Sequence, residues 1–235
     1  MSNESLNIRD ERTISPFDPT LDHSTRISRR QYNLIMGGLV TLGFAVIAAA
    51  AFLVMTPAFF FMVYENYGLV LLASVVVSIG GVFVLARGMR REGFGQALVG
   101  YGMIVGSIGF TTGMILPLYD LPSIANAFVG TAIIATLFTL LGSVYPQVFA
   151  KIRGVLSVAL LGAIVVGLVG SFMNVSMAWL DYVVIAVFCG LIGYDTYRAQ
   201  QCESTVKMAI FNAAQIWLDL VNIFIRLLAI VGRRR

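Results

Sequence analysis

Apolar residues run along this chain in long blocks, with neither the two-residue alternation of a half-buried strand nor the narrow stripe of a soluble helix. A helix needs about 20 such residues to cross a hydrocarbon layer of about 30 Å. Segments of that length, bounded by charge, proline or aromatic clusters, cover Tyr32–Thr56, Gly68–Leu85, Gly95–Leu116, Ser123–Tyr145, Val155–Met173, Trp179–Tyr197 and Val206–Val231. The pattern predicts an all-α integral membrane protein, a seven-transmembrane-helix bundle over residues 32–231. Residues 1–31 are polar and broken by Pro16 and Pro19, which predicts a disordered tail with no cleavable signal sequence. Residues 232–235 form a short basic C-terminal end.

Composition sharpens this picture. Of 235 residues, 58% are hydrophobic and 12% charged, and the mean hydropathy is +0.87. That charge content is too low to cover a soluble surface, so the lipid bilayer is the first partner. One histidine, His23 in the tail, and two cysteines, Cys189 and Cys202, exclude a Cys/His metal cluster, a haem pair and a disulfide framework. The formal charge of +4 punctuates the spans and forms no basic stripe of the kind nucleic acid needs.

The basic residues report topology instead. Arg26, Arg29 and Arg30, then Arg87, Arg90 and Arg91, then Lys151 and Arg153, then Arg198 and Lys207 all fall on one side, whereas the alternate loops hold Glu65, Asp120 and Asp181. Positive charge stays inside, so the N-terminus is expected in the cytoplasm. Phe59, Phe60, Phe61, Tyr64, Tyr67, Tyr119, Trp179 and Tyr182 crowd the opposite boundary as an interfacial belt. Arg233, Arg234 and Arg235 oppose the scheme, because seven crossings export them. Either the last segment crosses or it is re-entrant; its length favours crossing. Gly102, Gly106, Gly109 and Gly113 share one face of the third span, and glycines recur in the fifth (Gly162, Gly167, Gly170) and sixth (Gly190, Gly193), where close helix packing is expected.

Charged groups at membrane depth cost several kcal/mol and mark ion or proton paths. Asp195 lies near the end of the sixth span, where an ordinary interfacial pairing with Arg198 would also account for it; Asp219 lies inside the seventh. At about 100° per residue, with Asp219 at zero, Asn212 falls at about +20°, Gln215 at about −40°, Asn222 at about −60° and Arg226 at about −20°. Such a stripe cannot face acyl chains, which places the last helix inside the bundle, as an ion path or as a hydrogen-bonded seam. If Asp195 and Asp219 meet, they cannot both ionise cheaply and would share a proton; deprotonated, they would offer hard oxygen ligands to calcium.

The Tyr194-Asp195 pair and the stretch from Ile216 to Leu228, read as Leu-Asp-x-x-Asn-x-Phe, resemble the transmembrane Bax inhibitor motif family, in a bacterial-type member. The resemblance implies a seven-helix bundle with the last helix central. It also implies a pH-sensitive calcium leak gated at Asp195 and Asp219, with no cofactor beyond the transported calcium. An arginine at the end of the second span would latch the pair, with Arg87, Arg90 and Arg91 as candidates. The acidic residue some relatives carry within that span is replaced here by Ser74, Ser78, Gly80 and Gly81. A non-conducting scaffold that binds other membrane proteins is the alternative the family allows. An intramembrane aspartyl protease fits less well, since Asp219 follows Ile216-Trp217-Leu218 and lacks the Gly-x-Gly of that motif. No enzyme is expected, and a bacterial inner membrane is the expected location.

Overall fold

The computed structural model describes residues 26–90, 94–173, 175 and 178–232, nearly all of them helical. Residues 1–25 of the tail, Arg91 and residues 233–235 lie outside the described residues. The helices are α1 (Arg29–Val54), α2 (Pro57–Glu65), α3 (Tyr67–Met89), α4 (Gly95–Ile115), α5 (Leu121–Val144), α6 (Pro146–Phe172), α7 (Ala178–Gln201) and α8 (Val206–Val231). All but α2 are long and apolar enough to cross a membrane, and they reproduce the seven blocks of the sequence. Four boundaries differ by three residues or more, and two of them are the ends of α3 and α7, which run four residues further, to Met89 and Gln201. Helix α1 begins at Arg29, because Ser28 and Gln31 form a capping box there. Helix α6 begins at Pro146, so Lys151 and Arg153 ride on helix and not in a loop.

Helix α2 is an element the block pattern does not reveal. Thr56 precedes Pro57, which occupies the first helical position where its missing N–H costs nothing. Its aromatic face stacks Phe60 on Tyr64 at 4.4 Å, and the Tyr64 hydroxyl donates to the Met114 carbonyl at 3.0 Å. The aromatic cluster is thus partly a packing device. Trp179 and Tyr182 remain exposed, as a belt requires.

Helix α8 is the axis of the bundle. It packs on α1, α3, α4, α5 and α7, while α6 lies at the periphery against α7 and α5. Trp217, Ile210, Ile223, Val221 and Asn212, all on α8, are among the most deeply buried side chains of the protein. The helix runs the full length of the bundle. Its start lies beside the N-terminal segment, where the Ile27 amide donates to the Ser204 carbonyl at 2.8 Å and Arg26 pairs with Glu203 at 2.8 Å. The residue that caps its other end, Gly232, packs on the ring of Tyr119 in the connection between α4 and α5. The run Val206–Val231 is continuous helix, so no re-entrant turn returns it.

Glycines set how closely the helices approach, but on different faces than the stripe in α4 suggests. Gly109 and Gly113 do pack on α1, against Val46, Ile47 and Ala50. Gly102 and Gly106 look into open space, as does Gly162 in α6. Helix α4 approaches the backbone of α3 closely at Gly100, where an added Cβ would run into the Leu85 amide nitrogen. Two backbones that touch cannot yield as a side chain does. Gly100→Ala is therefore expected to cost about 1–3 kcal/mol and to lower the thermal midpoint in detergent by several degrees. Gly102→Ala, in open space, should leave it unchanged or slightly raised.

Candidate functional site

The sixth and seventh spans, α7 and α8, run antiparallel and form the site. Close packing sets the position of Asp195. Two residues before it, Gly193 meets Gly142 of α5 so tightly that a Cβ on Gly142 would lie 2.4 Å from the Gly193 carbonyl oxygen. Gly193 also accepts the ring of Phe149 from α6, against which a Cβ would lie 2.1 Å away. With α7 clamped from both sides, the Asp195 carboxyl is directed at α8.

Asp195 and Asp219 meet. Both are buried, and their carboxyl groups lie against each other, close enough for the charge of one to act on the other. No N–H or O–H group among the described residues donates to the buried Oδ2 of Asp219, and the group that faces this residue is the Asp195 carboxyl. An ionised carboxylate only accepts, so a hydrogen bond between two carboxyl groups requires a proton on one of them. The interval along α8 that separates the two in the sequence is closed by the antiparallel pairing of the helices.

The remaining charge of the pair is faced by arginines. Arg198, one turn beyond Asp195, comes within 3.7 Å of its Oδ1. Arg153 of α6, held over the Tyr194 ring at 5.3 Å, adds a second positive charge on the same side. The interfacial pairing with Arg198 and the meeting with Asp219 are thus both present. The latch candidates are placed elsewhere: Arg87 and Arg90 are exposed at the end of α3 and make no ion pair with either carboxylate, and Arg91 is outside the described residues. The sequence directs attention to the end of the second span; the fold supplies the arginines from α7 and α6, because those helices flank the pair.

Above Arg198 lies a polar layer that closes the bundle at its basic side. Arg198 donates to the Asn212 side-chain oxygen at 2.8 Å, and the Asn212 amide donates to the Tyr32 hydroxyl at 2.6 Å. Tyr32 and Cys202 are in contact at 3.3 Å, and Arg198 lies over the Phe211 ring at 5.0 Å. Asn212 and Tyr32 are essentially inaccessible. Tyr32 and Cys202 carry no signal in the sequence, since a tyrosine at a span boundary looks like any interfacial aromatic.

The rest of the stripe is divided. The Asn222 amide turns back to its own helix, to the Leu218 carbonyl at 2.8 Å. Arg226 pairs with Asp181 of α7 at 2.6 Å near the opposite face. Gln215 is half-buried on the same helix. No cluster of three or more His, Cys, Asp or Glu side chains suited to a metal ion occurs among the described residues. A cation at the Asp195–Asp219 pair would draw the rest of its oxygens from water or backbone, since calcium takes about 6–8.

Comparison with known proteins agrees with this architecture. Residues 25–235 match the family model described as Inhibitor of apoptosis-promoting Bax1, Bax1-I. The chain is 24% identical over 221 residues to the inner membrane protein YbhL of Escherichia coli K12, covering 89% of this chain and 94% of YbhL. It is 26% identical over 207 residues to an uncharacterized membrane protein of Streptococcus pyogenes, covering 83% of this chain and 89% of that protein. A protein of Rickettsia prowazekii is 24% identical over 233 residues, with 95% of this chain and 96% of that protein covered.

The layer above the pair yields a stability prediction. Asn212→Leu leaves the Arg198 guanidinium and the Tyr32 hydroxyl without their shared partner, and is expected to cost about 1–3 kcal/mol. Tyr32→Phe removes the hydroxyl contacts with Asn212 and Cys202 but leaves the Asn212 amide its bond to Cys202 Sγ at 3.4 Å, and should cost about 0.5–1.5 kcal/mol. Thermal unfolding of the purified variants in detergent checks the order.

Proposed function

This chain belongs to the Bax1-I family, and from that premise we propose that it is a proton-gated cation leak of the membrane, with calcium as its cargo. The observation that carries the reading is the juxtaposition of the buried carboxyl groups of Asp195 and Asp219, one on each of the two helices that line the site. With one proton shared, the pair bears a single negative charge, and Arg198 with Arg153 offsets it. The seam between α7 and α8 is then drawn together, and the layer of Arg198, Asn212 and Tyr32 closes the basic side.

Either change in proton number weakens that state. Loss of the shared proton leaves two like charges in a buried site, which drives the carboxyls apart or draws in a cation to replace the proton. Gain of a second proton removes the charge that Arg198 engages. In both cases the equilibrium between closed and open packing of α7 on α8 shifts, because the two states hold different numbers of protons. Positive residues at the closed side support a cytoplasmic orientation for it, and the likeness to an inner membrane protein supports a bacterial inner membrane.

Calcium flux into liposomes containing the purified chain, scanned from pH 5 to 8, tests the proposal. The native chain is expected to show protein-dependent flux that varies with pH. Asp195→Asn and Asp219→Asn should each flatten the profile, since an amide cannot share the titrating proton. Arg198→Gln should displace it along the pH axis by removing the opposing charge. Folded protein with no flux above empty liposomes at any pH would return the chain to the reading as a non-conducting scaffold.

A further inference from the structure

Helices α1 and α5 each pack on α8, and between them opens a crevice of about 430 Å³ whose walls also include the end of α7. That volume lies within the range of ligand sites, about 300–1,000 Å³. Its lining is graded along the membrane normal. At the basic end stand Arg29 and Asn33 of α1 with Gln200 of α7; deeper, the surface is Met36 and Val40 of α1 with Ile216 of α8. From Arg29 to Val40 along α1 is about 16 Å, at about 1.5 Å per residue. The crevice therefore runs from headgroup level into the hydrocarbon.

Arg29 is held in place for this task. Its guanidinium donates to the carbonyls of Ala199 at 3.0 Å, Gln200 at 2.8 Å and Cys202 at 2.7 Å. Those contacts cap the end of α7 and use three of the five N–H donors of the side chain. Two donors remain, and no carboxylate among the described residues neutralises the charge. A fixed cation with open donors, at headgroup depth and above an apolar channel, is complementary to a phosphate that carries an acyl chain.

We infer that the crevice holds an anionic phospholipid of the leaflet at the basic face. Its phosphate lies at Arg29 with Asn33 and Gln200 beside it, and the first part of an acyl chain runs along Met36, Val40 and Ile216. A free phosphate would leave that apolar floor unfilled, and a neutral zwitterionic lipid would gain less from Arg29. The bound lipid ties α1 to α7 one residue from Asp195, since Thr196 also lines the crevice. The inference uses neither carboxyl of the pair and stands whether or not the chain conducts ions.

The test measures thermal midpoint and native mass spectra of the delipidated full-length chain in mild detergent. Phosphatidylglycerol, phosphatidylcholine and glycerol 1-phosphate are the probes. Phosphatidylglycerol is expected to bind about fivefold or more tightly than phosphatidylcholine, to raise the midpoint, and to remain bound in the spectra. A Cβ on Gly37, in the crevice wall, meets nothing within 4 Å, and the same is true of Gly38, which is not in the wall. Gly37→Trp should therefore fold, fill the crevice and lose the phosphatidylglycerol response, while Gly38→Trp keeps it. Asn33→Leu, at an exposed position, provides a second variant with weakened phosphatidylglycerol binding. Equal binding of the two lipids, an unchanged response in both Gly37→Trp and Asn33→Leu, or equal protection by glycerol 1-phosphate would overturn the inference.

Discussion

A carboxylic acid in the body of a membrane helix cannot be left against hydrocarbon, and the rest of this structure follows from how Asp219 is accommodated. Its helix has to be enclosed, so α8 becomes the axis on which α1, α3, α4, α5 and α7 pack. Its carboxyl has to be met, and Asp195 meets it. A second acid as the partner of the first means that the contact exists only with a proton in it. The contact made by the buried group is therefore also one that responds to proton number.

Enclosure places demands on the other helices. Bringing backbone close enough to bury α8 and clamp α7 requires positions without side chains, as at Gly142 on Gly193, and at Gly43 beneath the Trp217 indole. Such contacts supply packing where lipid removes the hydrophobic drive for helices to associate. They also make the site stiff on its α5 and α6 sides. On the α1 side it is less tightly enclosed: the polar layer of Tyr32, Asn212 and Arg198 joins α1 to α8 and α7 through hydrogen bonds, and the lipid-facing crevice opens beside it. Arg29, which caps α7 from α1, links that crevice to the helix that bears Asp195.

Much of this was legible in the order of residues, and the exceptions share a cause. Seven spans follow from apolar length, and the central place of α8 follows from a stripe that no lipid can face. Both are properties of one helix considered alone. The glycine face of α4 was only half legible, because Gly102 and Gly106 lie on the same face as Gly109 and Gly113 but beyond the reach of α1. Helix α2 was hidden because its nine residues are too few to span and its aromatic composition suits an interface equally well.

The sequence by itself determined that this chain lives in a bilayer, where its seven apolar segments lie, and that Asp219 must be enclosed, since each of these depends on the cost of placing one residue type at one depth. Tertiary structure alone decided which groups Asp195 and Asp219 meet. The arginines of α7 and α6 face Asp195, while Arg87 and Arg90 at the end of α3 remain at the surface. Tyr32 and Asn212, 180 residues apart, share a hydrogen bond. Charge and hydrogen bonding act over a few ångströms, and which residues come within that distance is set by how helices cross, which the local order of residues does not encode.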